Sequence, residues 1–410
     1  MPWSFTGVGH GARFRLPLVR GEREYDIALF GATGFTGGLT ARYLAEHGPE
    51  GLRWALVGRN RAKLEAVAAE LAGLSSAVPA PDLLEADAAD LAALTKVAEA
   101  ARVVITTVGP YALYGEPLVA ACAAAGTDYV DLVGEPEFVD RMWLLHREEA
   151  TRTGARLVHC CGFDSIPHDL GAYFTVQQLP EGVPLRVDGH VRSSASFSGG
   201  TYHSAINGFA RGRQTMAAAK ERRRAEPRPP GRAIHSSPAR VRRDPELGGW
   251  VAPLPTIDGA IVRRSAAALE RYGPEFTYGH HLLAKRLATI GALGAGVGTV
   301  ALMAPLPPTR KLLLKLKSPG EGPSAEERAR SWFKVTFVGE GGGKRVVTEV
   351  SGGDPGYGET SKMLAESGLC LAFDELPQTA GQVTTATAMG DKLLTRLQNA
   401  GIVFRVLEPA

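Results

Sequence analysis

Between residues 25 and 160 short apolar runs alternate with stretches of helical spacing. The runs fall at 25–30, 52–57, 83–86, 103–108, 129–132 and 156–160, the third of them ending at Asp87. Helical patterns fill the intervals: from the glycines after Phe30 to about 45, then 61–72, 91–101, 115–125 and 136–153. In the 61–72 interval Leu64, Val67, Ala68 and Leu71 recur on one face of a helix. Continuous apolar strands separated by helices predict a Rossmann-type, doubly wound parallel sheet, the α/β class.

Past residue 170 the rhythm changes. Positions 185–194 alternate polar and apolar, and 332–338 with 344–350 flank Gly341-Gly342-Gly343 as a β-hairpin. This predicts a second α+β domain with a mostly antiparallel sheet. The division is a poorly ordered leader at 1–23, a nucleotide-binding domain at 24–170, a substrate domain at 171–356, and a helical return at 357–410.

Composition changes this picture little. Hydrophobic residues are 44% and charged residues 22% of 410, ordinary for a soluble globular chain. A net charge of +3 excludes a global polyanion-binding field. The N-terminal stretch lacks the uninterrupted apolar core of a signal peptide. Cys122, Cys160, Cys161 and Cys370 form no CxxC or Cys/His ligand spacing, so buried thiols, a reducing cytoplasmic setting and no metal site are expected.

The first apolar run, Tyr25-Asp-Ile-Ala-Leu-Phe30, leads into Gly31-Ala-Thr33-Gly34-Phe35-Thr36-Gly37 and a helix. Strand, glycine turn and helix N-terminus together cradle a dinucleotide pyrophosphate on backbone N–H groups. Gly31 permits the turn, Gly34 the approach of phosphate, and Gly37 close helix–strand packing. An NAD-binding unit ends its second strand in Asp or Glu, for the ribose 2′-hydroxyl. Here Gly58-Arg59-Asn60 stands there, with Lys63 one turn on. A guanidinium matches a 2′-phosphate, so NADPH/NADP+ is favoured; a solvated arginine at a strand end is the alternative.

Further segments follow the later strands: Thr107-Val-Gly109-Pro110-Tyr111, Asp131-Leu-Val-Gly-Glu135 and Gly162-Phe-Asp164-Ser165-Ile-Pro-His168. Gly109-Pro110 would bring backbone against the cofactor, with Tyr111 and Tyr114 in reach of its ring. Asp164, Ser165 and His168 fall at the mouth between the domains. There each could donate a proton or position substrate; equally, Asp164 could cap a helix and Ser165 satisfy a turn.

These pieces, together with LVGRN (56–60), TTVGPYALYGEPLVAACAAAGTDYVDLVGE (106–135), GFDSIPHDLG (162–171), GGDPGYGETSKMLAESGLCLA (352–372) and TTATAMGDKLLTRLQNAGIVF (384–404), occur in order over nearly the whole chain. In this the chain resembles the saccharopine dehydrogenase-like oxidoreductases, in their branch of trans-acting enoyl reductases. The resemblance implies an NADP-dependent reductase of a lipophilic α,β-unsaturated acyl thioester, some members acting on chains carried by a polyketide synthase. His168 departs from the small polar residue the resemblance leads one to expect, so it is not taken as a catalytic group. Such a reaction needs hydride at the β-carbon, polarisation of the thioester carbonyl and a proton for the α-carbon. Tyr111, Asp164, Ser165 and Tyr357 are the candidates for the last two. The alternatives are reduction of an imine or amino-acid adduct, and an NADP(H)-binding scaffold at a lipid surface without turnover.

Two stretches bear on partners. Residues 211–243 hold eleven Lys/Arg, with Glu221 and Glu226 and with prolines at 227, 229, 230 and 238. They predict a solvated loop, or a dock for an acidic acyl carrier protein or anionic lipid; nucleic acid is disfavoured because aromatics do not interleave with the charges. Residues 287–309 carry no charge between Lys285-Arg286 and Arg310-Lys311, yet glycines recur at 291, 294, 296 and 298. A buried helix or a lipid-lined lid leads, ahead of peripheral membrane contact and, last, a span. A homodimer is also admitted.

Overall fold

The computed structural model describes residues 23–194, 199–316 and 322–407, with backbone alone at 199–201 and 203–204. Most of the leader therefore lies outside the described residues. Arg23 belongs to the fold, its guanidinium donating to the carbonyls of Glu99 and Ala125.

The first unit alternates β1 (Tyr25–Phe30), α1 (Phe35–His47), β2 (Trp54–Gly58), α2 (Arg61–Leu71), β3 (Asp82–Glu85), α3 (Leu91–Ala100), β4 (Ala101–Thr106), α4 (Tyr111–Tyr114), α5 (Glu116–Ala125), β5 (Asp128–Asp131), α6 (Pro136–Thr153), β6 (Arg156–Val158) and α7 (Ile166–Val176). The second runs β7 (Leu185–Ser193), α8 (Gly199–Ala210), α9 (Gly212–Ala225), β8 (Ala233–Ser236), β9 (Arg242–Asp244), β10 (Gly249–Pro253), α10 (Asp258–Ala268), β11 (Glu275–Ala284), α11 (Leu287–Met303), α12 (Pro307–Leu314), α13 (Ala325–Arg330), β12 (Phe333–Gly341) and β13 (Lys344–Gly352). The chain closes with α14 (Gly358–Phe373), β14 (Gly381–Val383), α15 (Thr385–Ala388), α16 (Gly390–Asn399) and β15 (Val403–Leu407).

Seven parallel strands form one sheet in the order β14-β6-β5-β4-β1-β2-β3. Every residue of β1 is buried, as a strand covered on both faces requires. Phe30 is level with Val57 on β2 and with Thr106 on β4. The order reverses between β1 and β4, so the loops leaving them part there and open a crevice at the carboxyl edge. The second sheet, β15-β13-β12-β7-β11-β10-β9 with β8 beside β11, is antiparallel apart from the β7–β11 and β8–β11 pairs. The expected hairpin is β12–β13, paired from Phe333–Gly352 to Gly341–Lys344.

Helix α7 joins the two layers. It begins at the carboxyl edge of the parallel sheet and lies on the second sheet, so closely that a Cβ on Gly171 would meet the Phe337 ring at 2.3 Å. Helix α14 returns to pack on α1 and β4, where a Cβ on Gly368 would meet Ile105 Cδ1 at 2.4 Å. The return at 357–410 is not wholly helical: β14 completes the parallel sheet beside β6, and β15 pairs with β13 of the second sheet.

Both charged and apolar stretches depart from expectation. Residues 212–225 of the basic stretch are helical, because the prolines begin only at 227 and end the helix instead of interrupting it. The apolar stretch is helical as well, but α11 buries none of its residues, so it is not a core helix. Among the described residues no helix is long and apolar enough to cross a membrane.

Candidate functional site

The glycine turn is built for close backbone approach. Gly31 has φ +92°, and a Cβ on it would meet Val108 Cγ2 at 2.7 Å and Thr107 Oγ1 at 2.8 Å. The Gly34 N–H donates to the Gly31 carbonyl at 3.0 Å and Gly38 closes the first helical bond to Gly34. Gly34 caps α1 without a side-chain bond, and the first turn holds no acid. The leading N–H groups of α1 and its positive dipole end are thereby left for an anion, and exposed Thr33 and Gly34 leave the approach open. Phe35 is held edge-on against Tyr357 at 4.7 Å, with the Arg328 guanidinium 5.5 Å from its ring. The Thr36 carbonyl accepts from Thr40 at 2.9 Å and Ser361 at 3.4 Å.

Beyond β2, Arg59 and Lys63 are exposed, while Asn60 caps α2 by accepting from the Lys63 N–H at 2.9 Å. Asn60 is thus occupied with the helix. Asp87, exposed beyond β3, accepts from the Ala89 N–H at 2.9 Å.

At the ends of β4 and β5 the Thr107 hydroxyl donates to the Gly31 carbonyl at 3.2 Å, linking the two loops. The Gly109–Pro110 peptide is cis and Pro110 caps α4. Tyr111 is not beside the crevice. Its ring packs on Phe138, its hydroxyl donates to the Thr106 carbonyl at 3.0 Å, and burial raises its pKa well above the usual range. A phenol so placed cannot reach substrate; Tyr114 is instead half exposed. Asp131 organises the next loop, accepting from Tyr129 at 3.0 Å and from the N–H groups of Val133 and Cys160 at 3.1 and 3.0 Å, with His159 Nδ1 at 2.6 Å. Glu135 accepts from the Ala112 N–H at 2.9 Å.

Asp164 follows β6 and stands over Gly134, where a Cβ would lie 2.7 Å from its Oδ2. Burial pushes its carboxyl up to about 6. Ser165 precedes α7 but makes no capping bond, and its buried hydroxyl has no partner among the described residues. On the first turn of α7, His168 puts Nε2 3.5 Å from Asp258 Oδ1, and His280 on β11 puts Nε2 3.5 Å from Asp258 Oδ2. Thr256 donates to the same carboxylate. Ligand atoms of this trio lie within 4.8 Å of one another, the composition a divalent ion would take. Burial supplies another consistent state: it drives His168 down to about 3, lowers His280, and raises Asp258 well above the carboxylate range, favouring the neutral form of each. Charge on Asp164 further disfavours charge on Asp258, which ties the trio to the mouth of the crevice.

The structure thus brings Gly31, Gly34, Gly37, Gly109 and Pro110 to one crevice edge, places Asp164 and Ser165 farther along it, and sets Tyr357 against Phe35. Tyr357 is a buried packing partner, its N–H donating to Asp354 at 3.0 Å. Sequence reasoning missed Asp258 and His280 because no spacing connects 168, 258 and 280. A hollow of about 500 Å³ lined by Tyr43, Lys362, Glu366 and Arg396 lies on the outer side of α1 and α14, and its charges are paired internally.

Residues 27–158 match the profile of the saccharopine dehydrogenase NADP binding domain. A Mycobacterium tuberculosis protein provisionally named a trans-acting enoyl reductase is 40% identical over 93% of this chain and 97% of its own length. A trans-acting enoyl reductase of Mycobacterium ulcerans is 37% identical with the same coverage of both. Apo saccharopine dehydrogenase (L-Glu forming) from Saccharomyces cerevisiae shares the fold, with a TM-score of 0.53 at 11% identity over 93% of this chain and 99% of that one.

Proposed function

The chain belongs to the saccharopine dehydrogenase-like oxidoreductases, among the trans-acting enoyl reductases, and on that premise we propose that it reduces the C=C bond of a lipophilic α,β-unsaturated acyl thioester with NADPH. Identity to the mycobacterial reductases over nearly the full length supports the reaction class. The observation that carries the residue assignment is Asp164, a half-buried carboxyl with a raised pKa at the carboxyl edge of the sheet that bears the glycine turn.

The cradle fits the cofactor. The Gly31–Gly37 turn offers its open N–H groups to the pyrophosphate, and Arg59 with Lys63 offers cations to a 2′-phosphate. When bound, NADPH would supply the hydride that the β-carbon of the enoyl group requires. Asp164, protonated, gives its proton to the α-carbon and is left as carboxylate. His168 and His280, kept neutral by burial, flank the Asp258 carboxyl and bring no competing charge to it.

An amino-acid substrate would need convergent arginines, but Arg211, Arg222 and Arg232 are engaged elsewhere. Arg211 pairs with Glu137 at 2.5 Å, Arg222 with Asp140 at 3.2 Å, and Arg232 donates to the carbonyls of Ala266 and Leu269 at 2.7 and 2.9 Å. Exposed Arg213, Arg223, Arg224 and Arg228 are the surface proposed for an acidic carrier. The test is NADPH oxidation with short and long enoyl thioesters. Faster turnover of long chains is expected; tight NADPH binding with no oxidation at any chain length would overturn the reductase reading.

A further inference from the structure

Helix α11 is apolar around its whole circumference. Its 17 residues contain no charge, and not one is buried. A helix of that character belongs in a core or in lipid. Leu287, Leu293, Val297 and Leu302 are exposed along it, and Leu306, Leu312 and Leu316 continue the surface through α12. Only the inner edge is anchored, where Ala304 and Leu313 close on Ile206 of α8 in a small core separate from the two main ones. An exposed apolar surface this continuous is an interaction site.

We propose that α11 and α12 form a membrane-contact element that lies in the interface of an anionic lipid bilayer without crossing it. At 1.5 Å per residue α11 is about 25 Å long, short of the roughly 30 Å hydrocarbon core. Charge identifies the occupant. Lys285 and Arg286 precede α11, Arg310, Lys311 and Lys315 lie on or just after α12, and no acid occurs between Glu275 and Glu321. Acyl-chain depth suits the uncharged surface and anionic headgroups suit the bases at both ends. A second copy of the chain suits them less, since an antiparallel two-fold contact would set Lys285-Arg286 against Arg310-Lys311 of its mate. β11, which carries His280, leads through Lys285-Arg286 into α11, so the element is continuous with a strand of the site.

The test is co-sedimentation of the full chain with phosphatidylcholine vesicles, with and without about 30% phosphatidylglycerol. Binding to the anionic vesicles, falling about tenfold without phosphatidylglycerol and about tenfold or more in an L293D/V297D/L302D variant, is expected. These side chains are solvent-facing, so the variant should keep its melting temperature and its turnover of a soluble short-chain thioester. Equal binding by the variant, binding to neither vesicle, or a wild-type dimer that the variant dissociates would each overturn the proposal.

Discussion

Gly37 lies so close to Gly31 that a Cβ on it would sit 2.1 Å from the Gly31 carbonyl oxygen. No side chain fits there, because the obstacle is backbone. Gly37→Ala should therefore push α1 off β1, at a cost of about 1–3 kcal/mol, and weaken NADPH binding with it. Gly34 is different: its Cβ would meet only the Gly31 oxygen, at 3.4 Å, on the exposed face of the turn that we propose receives the phosphate. Gly34→Ala should keep the melting temperature and raise the Kd for NADPH, read by calorimetry. A wild-type Kd in Gly34→Ala would remove this turn as the cradle.

Arg59 should decide between the two nicotinamide dinucleotides. It stands exposed at the end of β2, where the strand itself ends in Gly58-Arg59-Asn60 and not in Asp or Glu. A charge-assisted hydrogen bond to phosphate contributes about 1.5–3 kcal/mol. Arg59→Ala should accordingly weaken NADPH binding about 10- to 100-fold and leave NADH binding as it was. Equal losses for both would place the 2′-phosphate elsewhere.

Asp164→Asn separates activity from stability. As proton donor Asp164 must be protonated, so turnover should fall as pH rises through about 6. Asparagine cannot give the proton, and kcat should drop about 10²- to 10⁴-fold with the Kd for NADPH unchanged. The stability sign is opposite. A folded pKa raised from 3.8 means that stability present below pH 3.8 is lost as pH rises through about 6. At pH 7 the variant should therefore melt no lower than the parent, whereas a purely structural Asp164 would give a less stable variant with its pH profile intact.

The basic helix α9 contains two kinds of arginine. Arg222 is buried, held between Asp140 at 3.2 Å and Glu226 at 2.9 Å, with its guanidinium over Trp143 of α6. Removing one partner of such a pair costs about 3–5 kcal/mol, so Arg222→Gln should lower the unfolding free energy by that order. Arg223 and Arg224 face solvent. Their joint replacement by Gln should leave stability alone, raise KM for carrier-bound substrate and spare a soluble thioester. Equal effects on both substrates would dismiss this face as the dock.

Local pattern and long-range assembly were not equally readable along the chain. The run Tyr25–Phe30 announces a strand because both its faces are covered, and α6 has the bounds its apolar spacing predicts, 136–153, with Pro136 at its start and Gly154 at its end. The direction of Tyr111 was not readable, since a tyrosine after Gly-Pro can turn toward the crevice or toward Phe138 and only the packed neighbour decides. Strand β14 was hidden because three residues carry no period of their own. The exposure of α11 was hidden for a different reason: an uncharged helix has the same sequence whether protein or lipid covers it.

His168 gives the pH dependence of the site mouth its sign. It faces Asp258 and His280, and packs against Phe163. Burial holds its pKa at about 3, against 6.5 when unfolded. Between those values the unfolded chain binds a proton that the folded chain refuses, so stability is present above pH 6.5 and is lost as pH falls toward 3. His190, held near 4, adds to the same slope, while Asp164 opposes it between 3.8 and about 6. Glutamine keeps a neutral donor in place of the imidazole and does not titrate. His168→Gln should therefore flatten the acid limb of the stability curve by about 1.4 kcal/mol per pH unit between pH 4 and 6, measured by urea unfolding at stepped pH. An unchanged slope would mean that His168 is charged in the folded protein, and that Asp258 beside it is a carboxylate.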